Sequence, residues 1–279
     1  NWAEVVFSEW GLANSVWYSN NISPEQKHIV RIHLQEVNER ARVFPVNVET
    51  SGVDKFVFVA DHVREEAIEL FNWDVESTIV VPNYVDVNRL NQDKLPTANK
   101  TIGIIGIVPQ RKRLDRALNL MKRLVQEDPS WKLIIKGKDP RNIEFMKAPN
   151  RTKEMEYYSS QFERIDNETH LKSSVSWDEY SISLSSWYRK VGYVLSPSDF
   201  ESFHYSIADG VASGAIPIIW PWDGAKEIYT ADWLIQNTED AANHILNTEI
   251  SLDTIKSNRK LIREKYGINF IFGELEKLL

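Results

Sequence analysis

Glu201 and Asp209 stand eight positions apart in the run Glu-Ser-Phe-His-Tyr-Ser-Ile-Ala-Asp, two acceptor-only side chains set around a short turn and the start of a helix. Such carboxylates can take hydrogen bonds from the hydroxyls of a sugar and from a ribose diol. The turn between them, Ser202, Phe203, His204 and Tyr205, offers unbonded backbone N–H groups backed by the positive end of a helix, which can hold a diphosphate. The arrangement suits a bound nucleotide sugar. Taken alone, the pair reads equally as two solvated acids on a surface helix, so the surrounding sequence has to decide. A second group of interest is Arg111-Lys112-Arg113, a basic loop after the apolar run Thr101 to Val108. It can neutralise phosphate, or it can be a hydrated helix entrance beside Asp115 and Arg116. The third is His33, delivered to the end of His28-Ile-Val-Arg-Ile, with Arg31 and Glu36 expected to fix its tautomer; a lone histidine in such a place is commonly a structural hydrogen-bonder.

These groups need strand ends and helix starts to position them, and the chain supplies both. Short β-rich runs fall at Ala3 to Phe7, His28 to Ile32, Phe56 to Ala60, Ser77 to Val81, Thr101 to Val108, Trp131 to Ile135, Val191 to Leu195 and Ile216 to Trp220. Helical stretches lie between them, which predicts an α/β protein with mainly parallel sheets. Leu114, Ala117, Leu118, Met121, Leu124 and Val125 recur at three- and four-residue steps and predict one helix with an apolar face. A further helix is expected over Leu184 to Tyr193. Glu201, after the Val191 run and the breakers Ser-Pro-Ser-Asp, then sits at the carboxyl end of a strand, where open parallel sheets bind ligands. Residues 91–100, polar and carrying Pro96, read as a linker between two such blocks.

The chain has 279 residues, enough for two domains, with 42% hydrophobic and 26% charged residues, as in ordinary globular proteins. A formal net charge of −7 argues against broad nucleic-acid binding. No cysteine is present, which removes disulfides, thiolate metal sites and cysteine nucleophiles. No apolar run reaches the length of a membrane span. The cytoplasm is the expected location, with association to a membrane surface left open. Neither Gly-x-Ser-x-Gly nor Gly-x-Gly-x-x-Gly occurs, against a hydrolase elbow or a dinucleotide turn.

The stretch from Glu201 to Glu227 resembles the donor-binding motif of the retaining GT-B glycosyltransferases, the glycogen-synthase-like and mannosyltransferase-like group known as family 4. The matching positions are Glu201, Asp209, Gly214, Pro217, Ile218, Ile219, Gly224 and Glu227. Asp209 stands where that family has a second Glu, and Ser202-Phe203-His204 where it has Gly-Phe-Gly; the missing glycines leave less room for backbone to approach a phosphate. Thr101 to Asp115 resembles the opening of the family's donor domain. Lys112 matches its phosphate-neutralising lysine, and Arg111 supplies the arginine charge expected just after the strand. Leu133 to Asp139 resembles the domain's second strand, and Val175 to Tyr180 the segment that cradles the base. Trp177 there would stack on or flank a nucleobase, or else is an ordinary interior aromatic. His33 matches a histidine that faces the transferred sugar and its phosphate, and Val80 to Val87 resembles the Pro-Asn-Gly-Val-Asp hinge segment with Tyr84 for Gly.

The resemblance implies two Rossmann-like domains of GT-B type, the first shortened: a partial acceptor-side domain over residues 1–95, a donor-binding domain over 96–267, and a helix over 268–279 crossing back to the first. The opening directly on a strand, without a methionine, gives the expectation that the chain is part of a longer polypeptide. It implies a metal-independent, retaining transfer of a hexose-type sugar from a nucleoside diphosphate sugar to a saccharide or similar acceptor, with no cofactor. His33, Lys112 and Glu201 would be catalytic, and Arg111, Ser202, Phe203, His204, Tyr205, Asp209 and Trp177 would hold the donor. Trp220 and Trp222 are expected at the cleft. The paired carboxylates also suit a glycosidase, but their position on a phosphate-binding loop argues against hydrolysis. The other reading is a catalytically silent module that binds a nucleotide sugar and associates with the missing part of a longer chain or with another transferase.

Overall fold

The computed structural model describes residues 3–178 and 183–279. It contains two parallel sheets. The first is built from β1 (Val5–Ser8), β2 (Lys27–Ile32), β3 (Lys55–Phe58) and β4 (Thr78–Val80), paired in that order. Between them run α1 (Ala13–Asn21), the single turn α2 (Leu34–Val37) and α3 (Asp61–Phe71). Every step goes in one direction, so right-handed crossovers put these connections on one face. There Val30, Ile32, Phe56 and Phe58 meet Val63 and Ala67 of α3.

A parallel sheet needs cover on both faces. The second face, carrying Ile29, Val57 and Val81, is packed by Ile271, Leu275 and Leu278. Ile271 and Leu275 belong to the last helix of the chain, which is described below, and Leu278 to the turn after it.

A short helix, α4 (Val87–Leu90), and a 3-10 turn (Pro96–Lys100) lead to the second sheet. Its elements are β5 (Thr101–Ile105), α5 (Leu114–Glu127), β6 (Lys132–Lys136), α6 (Thr152–Asn167), α7 (Thr169–Lys172), β7 (Val175–Asp178), α8 (Leu184–Tyr188), β8 (Tyr193–Ser196), α9 (Tyr205–Ala212) and β9 (Ile216–Ile219). They are followed by α10 (Ala225–Ile228), α11 (Thr238–Asn247), α12 (Leu252–Tyr266) and α13 (Ile268–Glu276), the last being the helix that covers the first sheet.

The second sheet runs β7-β6-β5-β8-β9, so the strand order reverses between β5 and β8. Helices therefore cover both of its faces. The apolar stripe of α5 and Ala241, Ala242 and Ile245 of α11 pack against Ile102, Ile104, Leu133 and Leu195. On the other face, Ile207 and Val211 of α9 join Val194 and Ile219 in a core continuous with Val30 and Phe56 of the first sheet. The small residues of α9 let it lie close: a Cβ on Gly210 would stand 2.6 Å from a Val194 methyl.

Two local expectations are corrected. The strand from Thr101 stops at Ile105, because Gly106 turns with φ 69°. The helix expected over Leu184 to Tyr193 ends at Tyr188, where the carbonyls of Tyr188 and Val191 turn to the ammonium of Lys94, and Tyr193 already begins β8.

Candidate functional site at the seam between the two sheets

The carboxyl ends of β5 and β8 flank the point where the strand order reverses, and the crevice there collects the charged loops. After β5 the chain makes the 3-10 turn Gln110–Lys112, then Arg113 in the left-handed region at φ 53°. The loop after β8 is laced to it. Asp199 N–H donates to Arg111 O at 2.9 Å, Arg116 to Pro197 O at 2.7 Å, Arg111 to Phe200 O, and Arg113 pairs with Asp199 at 2.9 Å.

Glu201 is the centre of this arrangement. Its Oε1 lies 2.5 Å from Lys112 Nζ and 3.1 Å from Arg111, and accepts from Ser198 Oγ at 2.8 Å. Burial disfavours its charge, but the nearby His204, Lys112 and Arg111 outweigh burial and hold the carboxyl at about 2, well below its ordinary range. Lys112 is lowered by burial, with Glu201 pulling the other way. His204 is brought down to about 3 by burial and then by Lys112, so its ring is neutral at pH 7. Arg111, Lys112 and Glu201 therefore leave one uncompensated positive charge to face an anion.

His204 stands where a glycine is easiest. It holds φ 56°, a left-handed conformation costing about 1–2 kcal/mol for a residue with a Cβ. Its Nδ1 lies 2.6 Å from Ser196 Oγ, which ties the start of α9 back to the end of β8. Among the described residues the N–H groups of Ser202, Phe203, His204 and Tyr205 have no backbone acceptor, so the anion-binding end of α9 is open.

The other donor-side expectations divide. The Phe203 ring is fully buried against Tyr229 and Tyr266, so only its main chain can reach a ligand. Tyr205 is 45% exposed and feels the charges of Arg31 and Glu9 from the first sheet. Asp209 lies one turn into α9, and no hydrogen-bond donor among the described residues reaches its carboxyl. Burial raises that carboxyl to about 7, with Arg89 opposing and Asp86 adding to the rise. Trp177 gives its indole N–H to Gly137 O at 2.7 Å and stands edge-on to Phe162, packing on its own subunit of the fold. The Glu179-Tyr180 end of that segment lies outside the described residues.

The first sheet contributes His33, the cap residue of α2 at the carboxyl end of β2. Its ring stacks on Trp10 at 4.0 Å, with Glu9 3.6 Å from Nε2. Nδ1 is buried with no hydrogen bond among the described residues, Glu36 Oε1 standing 4.0 Å away, and burial followed by Arg31 lowers the imidazole to about 4. The expected tautomer partners act elsewhere. Arg31 donates to Val81 O, Pro82 O and Asn83 Oδ1. Glu36 accepts from the backbone of Gly11 at 3.0 Å and of His33 at 3.3 Å, and is pushed up to about 7 chiefly by burial. Tyr84, in the hinge segment, keeps an ordinary negative φ, so no glycine is needed there.

Across the seam the two sets meet. A cavity of about 430 Å3 is lined by His33, Gln35 and Asn38 on one side and by Arg111, Phe200 and Ser202 on the other. Phe145 and Arg151, from the loop between β6 and α6, close one end of it. His62, which sequence reasoning missed, places Nε2 2.9 Å from Glu201 O, so the start of α3 touches the Glu201 loop. Gly224 permits this, since a Cβ there would lie 2.1 Å from the His62 ring. No periodicity or motif marks His62, Glu9 or Trp10; the meeting of the two sheets marks the first, and the side-by-side ends of β1 and β2 the other two.

Trp220 and Trp222 do not face the cleft. Trp220 lies in the core under α5, and Trp222 is buried beside His62 at 6.0 Å, because the chain after β9 runs inward. Among the described residues no three His, Asp or Glu converge as a metal site, and no helix is long and apolar enough to cross a membrane.

The family model described as Glycosyl transferases group 1 matches residues 99–248. No curated protein matches the sequence. Among solved structures, HepE of Anabaena in complex with UDP has a TM-score of 0.77 at 14% identity, covering 98% of this chain and 78% of HepE. TarM of S. aureus has 0.69 at 16%, covering 91% of this chain and 50% of TarM, so the chain spans half of TarM's length. Sucrose-phosphate synthase of Thermosynechococcus elongatus has 0.70 at 18%, covering 99% of this chain and 72% of the synthase. These likenesses show the GT-B fold.

Proposed function

The chain belongs to the glycosyl transferases group 1 family, and from that premise we propose that it moves a hexose-type sugar from a nucleoside diphosphate sugar to a saccharide or related acceptor, retaining the anomeric configuration and using no metal ion. The observation that carries this reading is Arg111, paired with Glu201 beside Lys112, facing His33 across one cavity at the seam.

In the transfer, the bond from the sugar C1 to the diphosphate oxygen breaks and the acceptor oxygen bonds to C1 from the same face. The acceptor proton passes to the departing phosphate. Negative charge grows on the diphosphate as it leaves, so Arg111, Lys112 and the open amides of Ser202 to Tyr205 stabilise the transition state more than the bound donor. Arg111 and Lys112 begin paired with Glu201. A donor that draws them to its phosphates frees the Glu201 carboxylate to accept hydrogen bonds from sugar hydroxyls. His33, neutral and with one ring nitrogen unpartnered, can hydrogen-bond the sugar or its phosphate without adding charge. Asp209, which no donor among the described residues reaches, is left for the ribose diol. Trp177 is left for the base, and the acceptor enters from the first sheet's side.

The test is calorimetric titration with UDP, GDP, ADP and their sugars, starting with UDP and UDP-glucose because HepE is seen with both. Saturable binding that disappears in Glu201→Ala and Lys112→Ala supports the site. No binding by any of them overturns it. A proton NMR spectrum of the product then reads the anomer, and inversion would sink the retaining assignment. His204 at positive φ, where a glycine would leave more room, favours the second reading, a silent nucleotide-sugar module; binding without turnover against any acceptor would establish it.

A further inference from the structure

Beneath the segment joining the two sheets lies a cavity of about 380 Å3 that the transfer does not use, with Asn91, Lys94, Asn99, Ser213 and Arg259 in its lining. Lys94 donates to Tyr188 O at 2.9 Å, Val191 O at 2.7 Å and Ser213 Oγ at 2.9 Å, all of them uncharged acceptors. Arg259, reaching in from α12, gives Nε to Ala212 O at 2.8 Å. Among the described residues neither cation forms an ion pair with a carboxylate. The charges that act on them are like charges, Arg259 on Lys94 and Arg263 on Arg259. Asp93 is the acidic group in the lining, on the exposed rim.

Both cations are half-buried, and charges partly withdrawn from water favour a counter-charge. The carbonyls at the ends of α8 and α9 carry only the partial charge of helix termini and offset part of this excess. Two cations share one cavity, one of them with guanidinium N–H groups beyond Nε, and side-chain amides stand beside them. That combination fits a dianion with several acceptor oxygens. We propose that this cavity is an anion site separate from the seam, taking the phosphate group of a small molecule on the Arg259 guanidinium, with the charge of Lys94 beside it. Burial, followed by Arg259, lowers Lys94 to about 7. An anion raises it again, so binding above pH 7 takes up a proton.

The experiment is calorimetry with inorganic phosphate on the whole chain, in buffers of different ionisation enthalpy, using wild type, Arg259→Gln, Asn99→Asp and Lys112→Ala. Arg259→Gln removes the fork, and Asn99→Asp supplies an internal counter-charge with almost no change of shape. Both are expected to weaken phosphate about tenfold or more, while Lys112→Ala leaves it unchanged and the heat at pH 8 depends on the buffer. Phosphate that fails to bind, or that binds equally in Arg259→Gln and Asn99→Asp, overturns the site. So does binding lost only in Lys112→Ala, which would assign the phosphate to the seam.

Discussion

The two sheets are both parallel, yet they cover their second faces by different routes. The second reverses its strand order and surrounds itself with its own helices; the first runs β1 to β4 without reversal and depends on α13, which arrives from the far end of the chain. Reversal creates a crevice between adjacent strand ends, and there the charges of Lys112, Arg111 and Glu201 are only a few ångströms apart. The first sheet has no such crevice, and its contributions to the seam, His33 and His62, act one at a time across it. Chemistry therefore concentrates on the second sheet, while the first carries a long-range dependence for its stability.

The largest expected effect tests the chemical side. Lys112→Ala should lower transfer by about 10²–10³-fold, the usual cost of removing one group that stabilises developing charge, with a melting temperature close to wild type. A loss below tenfold would mean that Arg111 and the amides of α9 suffice. The dependence of the first sheet on α13 is tested by Ile271→Ala, expected to cost about 2–5 kcal/mol in urea unfolding because Ile271 is fully buried. A cost near zero would show that the second face of the first sheet does not need this cover. Gly210→Ala applies the same assay to the second sheet. Its new methyl meets Val194 and should cost about 1–3 kcal/mol, less than the change at Ile271.

The smallest effect compares the two carboxylates of the motif. Glu201 is depressed from 4.5 to about 2, so its contribution to stability is present above pH 4.5 and lost as pH falls toward 2. Asp209 is raised from 3.8 to about 7, so the folded state holds the extra proton between those values. Its contribution is full below 3.8 and disappears as pH rises through 7. Asp209→Asn should therefore flatten the fall in stability between pH 4 and 8, leaving the acid limb set by Glu201 intact. Denaturant midpoints with the same slope in both proteins would refute the raised Asp209.

Much of the architecture was legible because alternation of apolar runs and helical periods is local. Glu201 and Lys112 were legible because each follows a strand, and strands of an open sheet end at one edge. What stayed hidden depends on contacts between segments far apart in the chain: His62 on Glu201 O, Trp10 on His33, and Lys94 under α8. Aromatic residues were the systematic misreading. Phe203, Trp220 and Trp222 sit in motif-like loops, but a ring's type does not say which side of the loop it leaves from, and here each turns inward. Arg31 and Glu36 were misread for a related reason, since both sit within three residues of His33 yet spend their hydrogen bonds on backbone groups and, for Arg31, on Asn83.

The packing of α13 on Ile29, Val57 and Val81 also sets an order of events during synthesis. Those apolar side chains emerge from the ribosome long before Ile271 does, and at ordinary elongation rates the delay is about 10–40 s. Through that interval the first sheet has one naked face, while the second can close its own core as it appears. The half of the molecule made first is thus finished last, and it is the half that a chaperone would have reason to hold.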